Sequence, residues 1–279
     1  MDELSVREII ARALAEDIGP GDITTAATVS PDSEGKAVII AKQDFVLAGL
    51  EVFLEVFLTI DKGIDFSSGY DDGDFIKKGA VIAELSGPLA VLLTGERVAL
   101  NILQRMCGVA TETKKFVDAV AGTDAEILDT RKTMPGLRVL DKYAVSVGGG
   151  RNHRFGLFDG VLIKDNHIAA AGGIKYAVRT AKENAPHTLK IEVECESIEQ
   201  VKEALAAGAD IIMLDNMGIE AMKAAVKVIG GKAAVEASGN MTLKRVRAVA
   251  ETGVDFISVG AITHSAPAVD ISMKIKEPK

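Results

Sequence analysis

Residues 189–238 read LKIEVECESIEQVKEALAAGADIIMLDNMGIEAMKAAVKVIGGKAAVEAS, in which short apolar runs alternate with longer segments of helical periodicity. The longer segments predict helices over Ser197–Ala207 and Ile219–Ile229, and Gly208 suits the C-terminus of the first of them. Because strands that alternate with helices pair in parallel, this stretch indicates a parallel sheet. The apolar runs are Leu189–Val193, Ile211–Leu214 and Ala233–Val235.

The same alternation extends from about residue 125 to residue 262, where a further helix is predicted over Thr242–Thr252. About seven strands whose ends carry polar residues favour an α/β barrel, and an open doubly wound sheet is the structural alternative. The other four predicted strands are Glu126–Leu128, Ala144–Val147, Val161–Ile163 and Phe256–Val259.

The first 105 residues or so have a different texture and read as a mixture of helices and antiparallel strands. Ser5 and Glu8 form a capping-box pattern ahead of a helix that runs to about Ala15. Pro88 stands at the start of the last helix predicted in this region, a position where proline is tolerated. After the first helix we predict a strand over Lys36–Lys42, a helix over Leu50–Ile60, two short strands within Phe75–Leu85 and a helix over Pro88–Met106.

Composition excludes several classes of function. The formal net charge of −8 and the absence of Trp argue against binding to nucleic acid or to an anionic membrane surface. No apolar stretch approaches the ~20 residues of a membrane span, and no secretory signal is visible. The two cysteines have neither CxxC nor metal-site spacing. We therefore expect a cytoplasmic protein that binds small molecules, without membrane or nucleic-acid partners.

One window reverses the charge of the chain. Residues 131–164 contain seven basic and two acidic side chains, which gives a formal charge of +5. Glycines 148–150 in this window let backbone approach a ligand closely, and Arg and Lys donate to carboxylates and phosphates. The window predicts a pocket for an anionic small molecule. Its basic residues are Arg131, Lys132, Arg138, Lys142, Arg151, Arg154 and Lys164.

The ends of the predicted strands divide into three kinds. In an α/β barrel the chemistry collects on the loops that follow the strands. We call the residues that directly follow a strand its exit. The first three exits are cationic, which suits carboxylates or phosphates. The next exits are acidic, which suits Mg²⁺ or sugar hydroxyls, and the last two are small and glycine-rich, which suits a phosphate on backbone N–H groups. Together they predict a phosphorylated sugar with a metal ion, bound beside a carboxylated partner.

Strings of residues that run in order through most of the chain resemble one family. Jointly they are specific, although no single string would suffice. The chain resembles the quinolinate phosphoribosyltransferases, which are also called carboxylating nicotinate-nucleotide pyrophosphorylases. The matching strings are ERVALNILQR (96–105), DTRKTMPGLR (129–138), GGGRNHRFGL (148–157), LIKDNHI (162–168), EVE (192–194), LDNM (214–217), EASGN (236–240) and ISVGAITHS (257–265).

The resemblance implies two domains and a dimer. An N-terminal α/β sandwich domain would cover residues 1–105, and an incomplete, seven-stranded α/β barrel would cover residues 106–267. The C-terminal segment, residues 268–279, would return to the N-terminal domain. In the implied homodimer, the N-terminal domain of one subunit covers the barrel mouth of its partner.

The resemblance also implies the reaction and its residues. Quinolinate and phosphoribosyl pyrophosphate would give nicotinate mononucleotide, pyrophosphate and CO₂, with Mg²⁺ as cofactor. The implied quinolinate site consists of Arg131, His153, Arg154, Lys164 and, from the partner subunit, Arg97. The implied catalytic residues at phosphoribosyl pyrophosphate are Lys132, Glu194 and Asp215, of which Glu194 and Asp215 would also bind the metal. The implied 5′-phosphate site consists of Ser238, Gly239 and Gly260.

Three alternatives remain open at the level of sequence. A nicotinate phosphoribosyltransferase would handle one carboxylate and so would need fewer cations than the three exits offer. A molybdenum-transport-associated paralogue shares parts of the barrel pattern, but the intact LIKDNH and NHR strings argue against it. Residues 72–84 resemble the hairpin of biotin- or lipoyl-carrier domains, with Lys77 and Lys78 as modifiable residues, although a carrier would leave the rest of the chain without a function.

Overall fold

The computed structural model describes residues 1–276, and the chain divides into two compact units. The first unit contains Met1–Lys114, Met134–Gly149 and the chain from Ser265, and the second contains Lys115–Thr133 and Gly150–His264. Of the segment expected to return to the N-terminal domain, residues 277–279 lie outside the described residues.

Helices and strands follow one another in this order. As far as residue 119 they are α1 (Glu3–Ile18), α2 (Ile23–Thr28), β1 (Glu34–Ala41), β2 (Phe45–Val46), α3 (Leu50–Ile60), β3 (Asp65–Ser68), β4 (Phe75–Ile76), β5 (Val81–Pro88) and α4 (Leu89–Ala119). The elements that follow are β6 (Glu126–Leu128), α5 (Arg138–Val147), β7 (Val161–Ile163), α6 (Asp165–Ala171), α7 (Ile174–Asn184), β8 (Ile191–Cys195), α8 (Ile198–Ala207), β9 (Ile211–Asp215), α9 (Ile219–Ile229), β10 (Ala234–Ser238), α10 (Leu243–Ala250), β11 (Phe256–Ser258), α11 (Ala261–His264) and β12 (Ile271–Lys276).

The first unit is built on a four-stranded antiparallel sheet with the strand order β12-β1-β5-β3, and β2 pairs with β4. Strand β12 runs beside β1, with Lys276 opposite Lys36 and Ile271 opposite Ala41. Helix α3 packs its apolar face into the core of this unit, where Phe53 and Phe57 are fully buried. The C-terminal strand therefore completes the sheet that the N-terminal strands begin.

Two helix boundaries in the first unit differ from the prediction. The capping box at Ser5 is wrong, because Asp2 is the N-cap of α1 and its carboxylate accepts a hydrogen bond from the Ser5 N–H at 3.1 Å. The Ser5 side chain donates to Asp2 instead of capping a helix itself. Helix α4 runs to Ala119 rather than ending at Met106, and Pro88 is the last residue of β5.

The predicted strand Ala144–Val147 is wrong, since these residues form the last turn of α5 in the first unit. A short apolar run does not distinguish a strand from a buried helical turn. The helical spacing of the buried Leu140 and Ala144 is the signal that the prediction missed. Helix α5 is anchored because Arg105 donates to both carboxylate oxygens of the buried Asp141, at 2.9 and 2.7 Å.

The second unit is an α/β structure around a six-stranded parallel sheet with the order β6-β11-β10-β9-β8-β7. The predicted α/β class is confirmed, with six strands in place of seven among residues 1–276. The predicted seventh strand is the helical segment Ala144–Val147, and four residues after it Arg151 forms one parallel bridge with Leu128. The parallel strands bring their carboxyl ends to one edge, which is where polar side chains of this fold class collect.

None of the helices within residues 1–276 combines the length and the apolar character that a membrane crossing needs.

Candidate active site

A cavity of about 500 Å³ lies at the carboxyl ends of the parallel strands in the second unit. Its lining comes from the exits of β6, β7, β8, β9 and β10 and from the glycine-rich loop after residue 150. Nine of the eleven site residues expected from the sequence line it, which places the cationic, acidic and glycine-rich exits around one space. These nine are Arg131, Lys132, His153, Arg154, Lys164, Glu194, Asp215, Ser238 and Gly239.

The other two expected residues lie elsewhere. Gly260 stands next to the cavity lining, since a Cβ atom at Gly260 would come within 3.0 Å of Lys132 Cδ. Its missing side chain leaves room for the stem of that lysine. Arg97 belongs to the first unit, where it is exposed on α4.

Arg154 is held at the cavity by its own loop. Its guanidinium donates to the Gly160 carbonyl at 2.9 Å, and Asp159 closes the loop by accepting from the N–H groups of Phe155 and Gly156 at 2.6 and 2.8 Å. Burial and then the positive charge of Arg131 lower the pKa of Arg154, which remains cationic. Two guanidinium groups near enough to repel each other form a site that an anion would stabilise.

Lys132 is fixed through its backbone. Its N–H donates to Thr130 Oγ1 at 3.0 Å, and its carbonyl accepts from Thr263 Oγ1 at 2.9 Å. The side chain itself is exposed at the cavity, where the ammonium group can reach a ligand. The backbone of this residue is therefore ordered while its charged end stays available.

Three buried or half-buried ionisable groups, His153, Glu192 and Glu236, form a cluster that we call the floor; His153 and Glu236 line the cavity, and Glu192 contacts His153. His153 Nε2 lies 3.0 Å from Glu192 Oε2 and 3.6 Å from Glu236 Oε2. Glu192 and Glu236 are only 4% and 1% exposed, and the Oε1 atom of each has no hydrogen-bond partner within the described part of the chain. Two carboxylates so close together in a dry interior cannot both remain charged at low cost.

Hydrogen bonds assign the protons of this floor. His153 Nδ1 accepts the N–H of Arg154 at 2.8 Å, so in the neutral ring the proton resides on Nε2 and is donated to Glu192. Burial and then the negative charge of Glu192 raise the pKa of Glu236 well above its ordinary value of 4.5. Burial and the neighbouring charge thus favour the neutral form of Glu236, which reduces the repulsion that two carboxylates would exert on an anionic ligand.

The acidic side of the cavity is formed by Glu194 of β8 and Asp215 of β9. Lys164 Nζ lies 3.5 Å from Glu194 Oε2. Burial raises the pKa of Glu194, Lys164 lowers it and the charge of Asp215 raises it. Two carboxylates that affect each other across adjacent strands have the oxygen ligands and the excess negative charge that suit Mg²⁺.

His153, Glu192 and Glu236 also have ligand atoms within 4.8 Å of one another, which is a spacing that could hold a metal ion. The tautomer argues against this, because a histidine nitrogen that carries a proton has no lone pair for a metal. Coordination through Nε2 would move the proton to Nδ1 and direct it at the Arg154 N–H. Glu194 and Asp215 therefore fit a metal ion better than the floor does.

Sequence reasoning did not single out Asn216 and Asn240 as site residues, although both line the cavity. They follow the strand ends at Asp215 and Ser238, so their position after predicted strands was visible. Their left-handed backbone, with φ of 53° and 47°, was not.

Comparisons with known proteins agree along the whole chain. The family model described as the N-terminal domain of quinolinate phosphoribosyl transferase matches residues 22–107, and the model of its C-terminal domain matches residues 109–274. The chain is 46% identical, over 275 residues, to a probable nicotinate-nucleotide pyrophosphorylase [carboxylating] of Bacillus subtilis (strain 168), and the match covers 99% of this chain and 95% of the relative.

Solved structures show the same similarity. The crystal structure of NadC from Streptococcus pyogenes superposes with a TM-score of 0.96 at 41% identity and covers 99% of this chain and 98% of its own. The nicotinate-nucleotide pyrophosphorylase of Francisella tularensis gives a TM-score of 0.95 at 42% identity, again with 99% and 98% coverage. The similarity therefore extends over both units and is not limited to the second.

Proposed function

The chain belongs to the quinolinate phosphoribosyltransferase family, and we propose that it transfers the phosphoribosyl group of phosphoribosyl pyrophosphate to quinolinate in NAD biosynthesis. The products are nicotinate mononucleotide, pyrophosphate and CO₂. The observation that carries the proposal is the single cavity that brings cationic, acidic and glycine-rich strand exits together. Each of the three sectors matches one part of the two substrates.

The cationic sector suits quinolinate. Quinolinate carries two adjacent carboxylates, and like charges so close together need several cations around them. Arg131, Arg154 and Lys164 supply these charges, and the two arginines offer the planar fork that matches a carboxylate. His153 orders Arg154 by accepting its N–H, so it supports this sector even where it does not contact the ligand.

The remaining sectors suit phosphoribosyl pyrophosphate. Lys132 would neutralise charge on the pyrophosphate, and Glu194 and Asp215 would hold Mg²⁺ and ribose hydroxyls. Ser238 and Gly239 line the cavity at the end of β10. Gly260, which directly precedes α11, would offer backbone N–H groups to the 5′-phosphate together with them.

The reaction then depends mainly on orientation. The cationic residues fix quinolinate by its carboxylates so that the ring nitrogen can form the new bond to C1′ as the bond to pyrophosphate breaks. When bound, Mg²⁺ would supply positive charge that stabilises the departing pyrophosphate. The pyridinium nitrogen stabilises the electron pair left at C2 when the 2-carboxylate leaves as CO₂, and C2 then takes up a proton.

A two-substrate assay tests this function. With phosphoribosyl pyrophosphate and Mg²⁺, quinolinate should give CO₂ and pyrophosphate in equal amounts, and nicotinate should give neither at a comparable rate. The reason is that nicotinate leaves part of the cationic sector without a counter-charge. Nucleotide formation from nicotinate without any dependence on quinolinate would overturn the proposal in favour of the one-carboxylate alternative.

We further propose that the protein is a homodimer in which Arg97 reaches the quinolinate site of the partner subunit. The family resemblance and the exposed position of Arg97 on α4 support this arrangement. The cytoplasmic location expected from the sequence also stays a prediction, which cell fractionation would test.

Subunit mixing provides a specific prediction for Arg97. Arg97→Ala and Lys132→Ala should each be nearly inactive alone, and mixed dimers should regain about a quarter of the parent activity. Random mixing makes half of the dimers mixed, and each mixed dimer has one barrel with Lys132 that receives an intact Arg97. Activity measured after co-refolding tests this, and co-refolded Arg97→Ala with itself is the control. No recovery on mixing would contradict a shared site.

A further inference from the structure

Asn216 and Asn240 are the only non-glycine residues within residues 1–276 that have a positive φ, at 53° and 47°. The left-handed region costs free energy for any residue with a Cβ atom, although asparagine tolerates it better than most. Both residues line the cavity, and one directly follows Asp215. Backbone strain that collects at a functional site is retained where the surrounding structure uses it.

The two side chains form a hydrogen-bonded relay that ends on Asp215. Asn240 Nδ2 donates to Asn216 Oδ1 at 3.2 Å, and Asn216 Nδ2 donates to Asp215 Oδ2 at 2.7 Å. The backbone N–H of Asn216 donates to the Ser238 carbonyl at 3.1 Å, which fixes the base of the relay. Because Oδ2 of Asp215 already accepts an amide, a ligand would meet this carboxylate mainly through Oδ1.

Gly239 leaves the space that the relay occupies. A Cβ atom at Gly239 would lie 2.2 Å from Asn216 Oδ1 and 2.8 Å from the Asn216 backbone nitrogen. The φ of Gly239 is 91°, which residues with a side chain rarely adopt. The absence of a side chain at this position is therefore required by Asn216 as well as by any phosphate that approaches the loop.

Arg245 of α10 ties together the two loops that carry the relay. Its guanidinium donates to the Gly239 carbonyl at 3.0 Å and to the Met217 carbonyl at 2.8 Å. One planar group thus bridges the exit of β9 and the exit of β10, which keeps Asn216 and Asn240 within hydrogen-bonding distance.

We propose that Asn216 and Asn240 are positioning residues that orient the Asp215 carboxylate for phosphoribosyl pyrophosphate and its Mg²⁺, with Arg245 as the clamp between their loops. This inference rests on the proposed function of the cavity. A freely rotating aspartate would have to be ordered when the ligand binds, whereas the relay orders it beforehand. The strain at the two asparagines is the local cost of that preorganisation.

Glycine substitutions separate positioning from stability. Asn240→Gly removes a neutral hydrogen bond and should weaken binding of phosphoribosyl pyrophosphate with Mg²⁺ by about fivefold. Asn216→Gly removes the hydrogen bond to the charged Asp215 and should weaken the same binding by about tenfold or more. Relief of the left-handed strain offsets the greater freedom of glycine in the unfolded chain, so the melting temperature should stay within about 2 °C of the parent. Calorimetric titration without quinolinate and thermal unfolding measure the two effects.

Asn240→Asp is the conservative variant. It keeps the size and the tolerance of a positive φ, but its carboxylate cannot donate to Asn216 Oδ1. Its affinity for phosphoribosyl pyrophosphate should therefore fall at least as much as that of Asn240→Gly. Quinolinate binding by all three variants should stay within about twofold of the parent, because the hydrogen bonds of the relay join Asp215, Asn216 and Asn240 to one another.

A matched pair on one helix tests the clamp. Arg245→Ala should lower the affinity for phosphoribosyl pyrophosphate by about tenfold, since two hydrogen bonds between the loops are lost. Arg247→Ala should leave that affinity unchanged, because Arg247 contacts Glu251 and the Ala121 carbonyl. The proposed positioning role of the relay would be overturned if the affinity for phosphoribosyl pyrophosphate stayed at the parent value in Asn240→Gly, Asn240→Asp and Arg245→Ala. A parent protein that releases no CO₂ from quinolinate would instead overturn the proposed function.

Discussion

Replacing Glu236 by glutamine should make the protein progressively more stable than the parent as the pH rises above about 4.5. Glu236 is 1% exposed and faces Glu192 across the floor of the cavity. Burial and then the charge of Glu192 raise its pKa well above 4.5, so the folded protein keeps this carboxyl neutral where an unfolded chain would ionise it.

The sign of the effect follows from proton binding. Below pH 4.5 the carboxyl is protonated in both states, and its full contribution to the free energy of unfolding is present. Above that pH the unfolded chain releases the proton while the folded protein retains it, so the stability of the parent falls by about 1.4 kcal/mol per pH unit until the folded pKa is reached. Glutamine has no proton to release, so the difference between the two proteins should widen with pH over the same range and then level off once the folded carboxyl ionises.

Denaturant unfolding of both proteins across this pH range measures the difference for the Glu236–Glu192 pair, because titrating groups far from the pair contribute equally to both proteins. The exposed Glu199 on α8 provides the control, and Glu199→Gln should track the parent at every pH. Parallel curves for Glu236→Gln and the parent would show that Glu236 is ionised in the folded state. The metal alternative would then regain support, since two carboxylates beside His153 would need a cation.

Sequence patterns predicted the elements whose signal is local. Leu50–Ile60 and Ile219–Ile229 are helices with the predicted bounds, because their apolar spacing and flanking residues define both ends. Ser197, the first residue of the predicted helix, is the N-cap of α8, with its hydroxyl accepting the Gln200 N–H at 3.3 Å. The prediction for Ala144–Val147 failed because four residues are compatible with either period, and the helical spacing becomes visible only when Leu140 is considered with Ala144.

The candidate site divides in the same way. Strand exits place Arg131, Lys164 and Asp215 at one edge of a parallel sheet, so their convergence could be predicted from alternation alone. The proton arrangement of the floor could not, because it depends on the Arg154 N–H meeting His153 Nδ1. The φ of Asn216 likewise depends on packing against Gly239 of another loop. Such details arise from contacts between segments, which single-sequence patterns do not contain.

Loss of either cation at the quinolinate sector should have the largest effect on binding. Arg131→Ala and Lys164→Ala should each raise the dissociation constant for quinolinate by roughly 10- to 150-fold, which corresponds to about 1.5–3 kcal/mol for a charged hydrogen bond. Titration with quinolinate measures this change. Arg179→Ala is the control, because Arg179 is an exposed arginine of the same unit that lies on α7 and pairs with Glu183. This variant should bind quinolinate like the parent.

The two cations should differ in their effects on the free protein. Arg131 lowers the pKa of Arg154 by repulsion, so Arg131→Ala removes a like charge from the neighbourhood of Arg154. Lys164 lies 3.5 Å from Glu194 and lowers its pKa, so Lys164→Ala leaves that half-buried carboxylate without its neighbouring charge. Arg131→Lys should fall between the parent and the alanine variant, because lysine keeps the charge but lacks the planar fork. Parent-like quinolinate affinity in both alanine variants would remove the dicarboxylate pocket, since no dianion could lose a neighbouring cation from such a site without a measurable loss of binding.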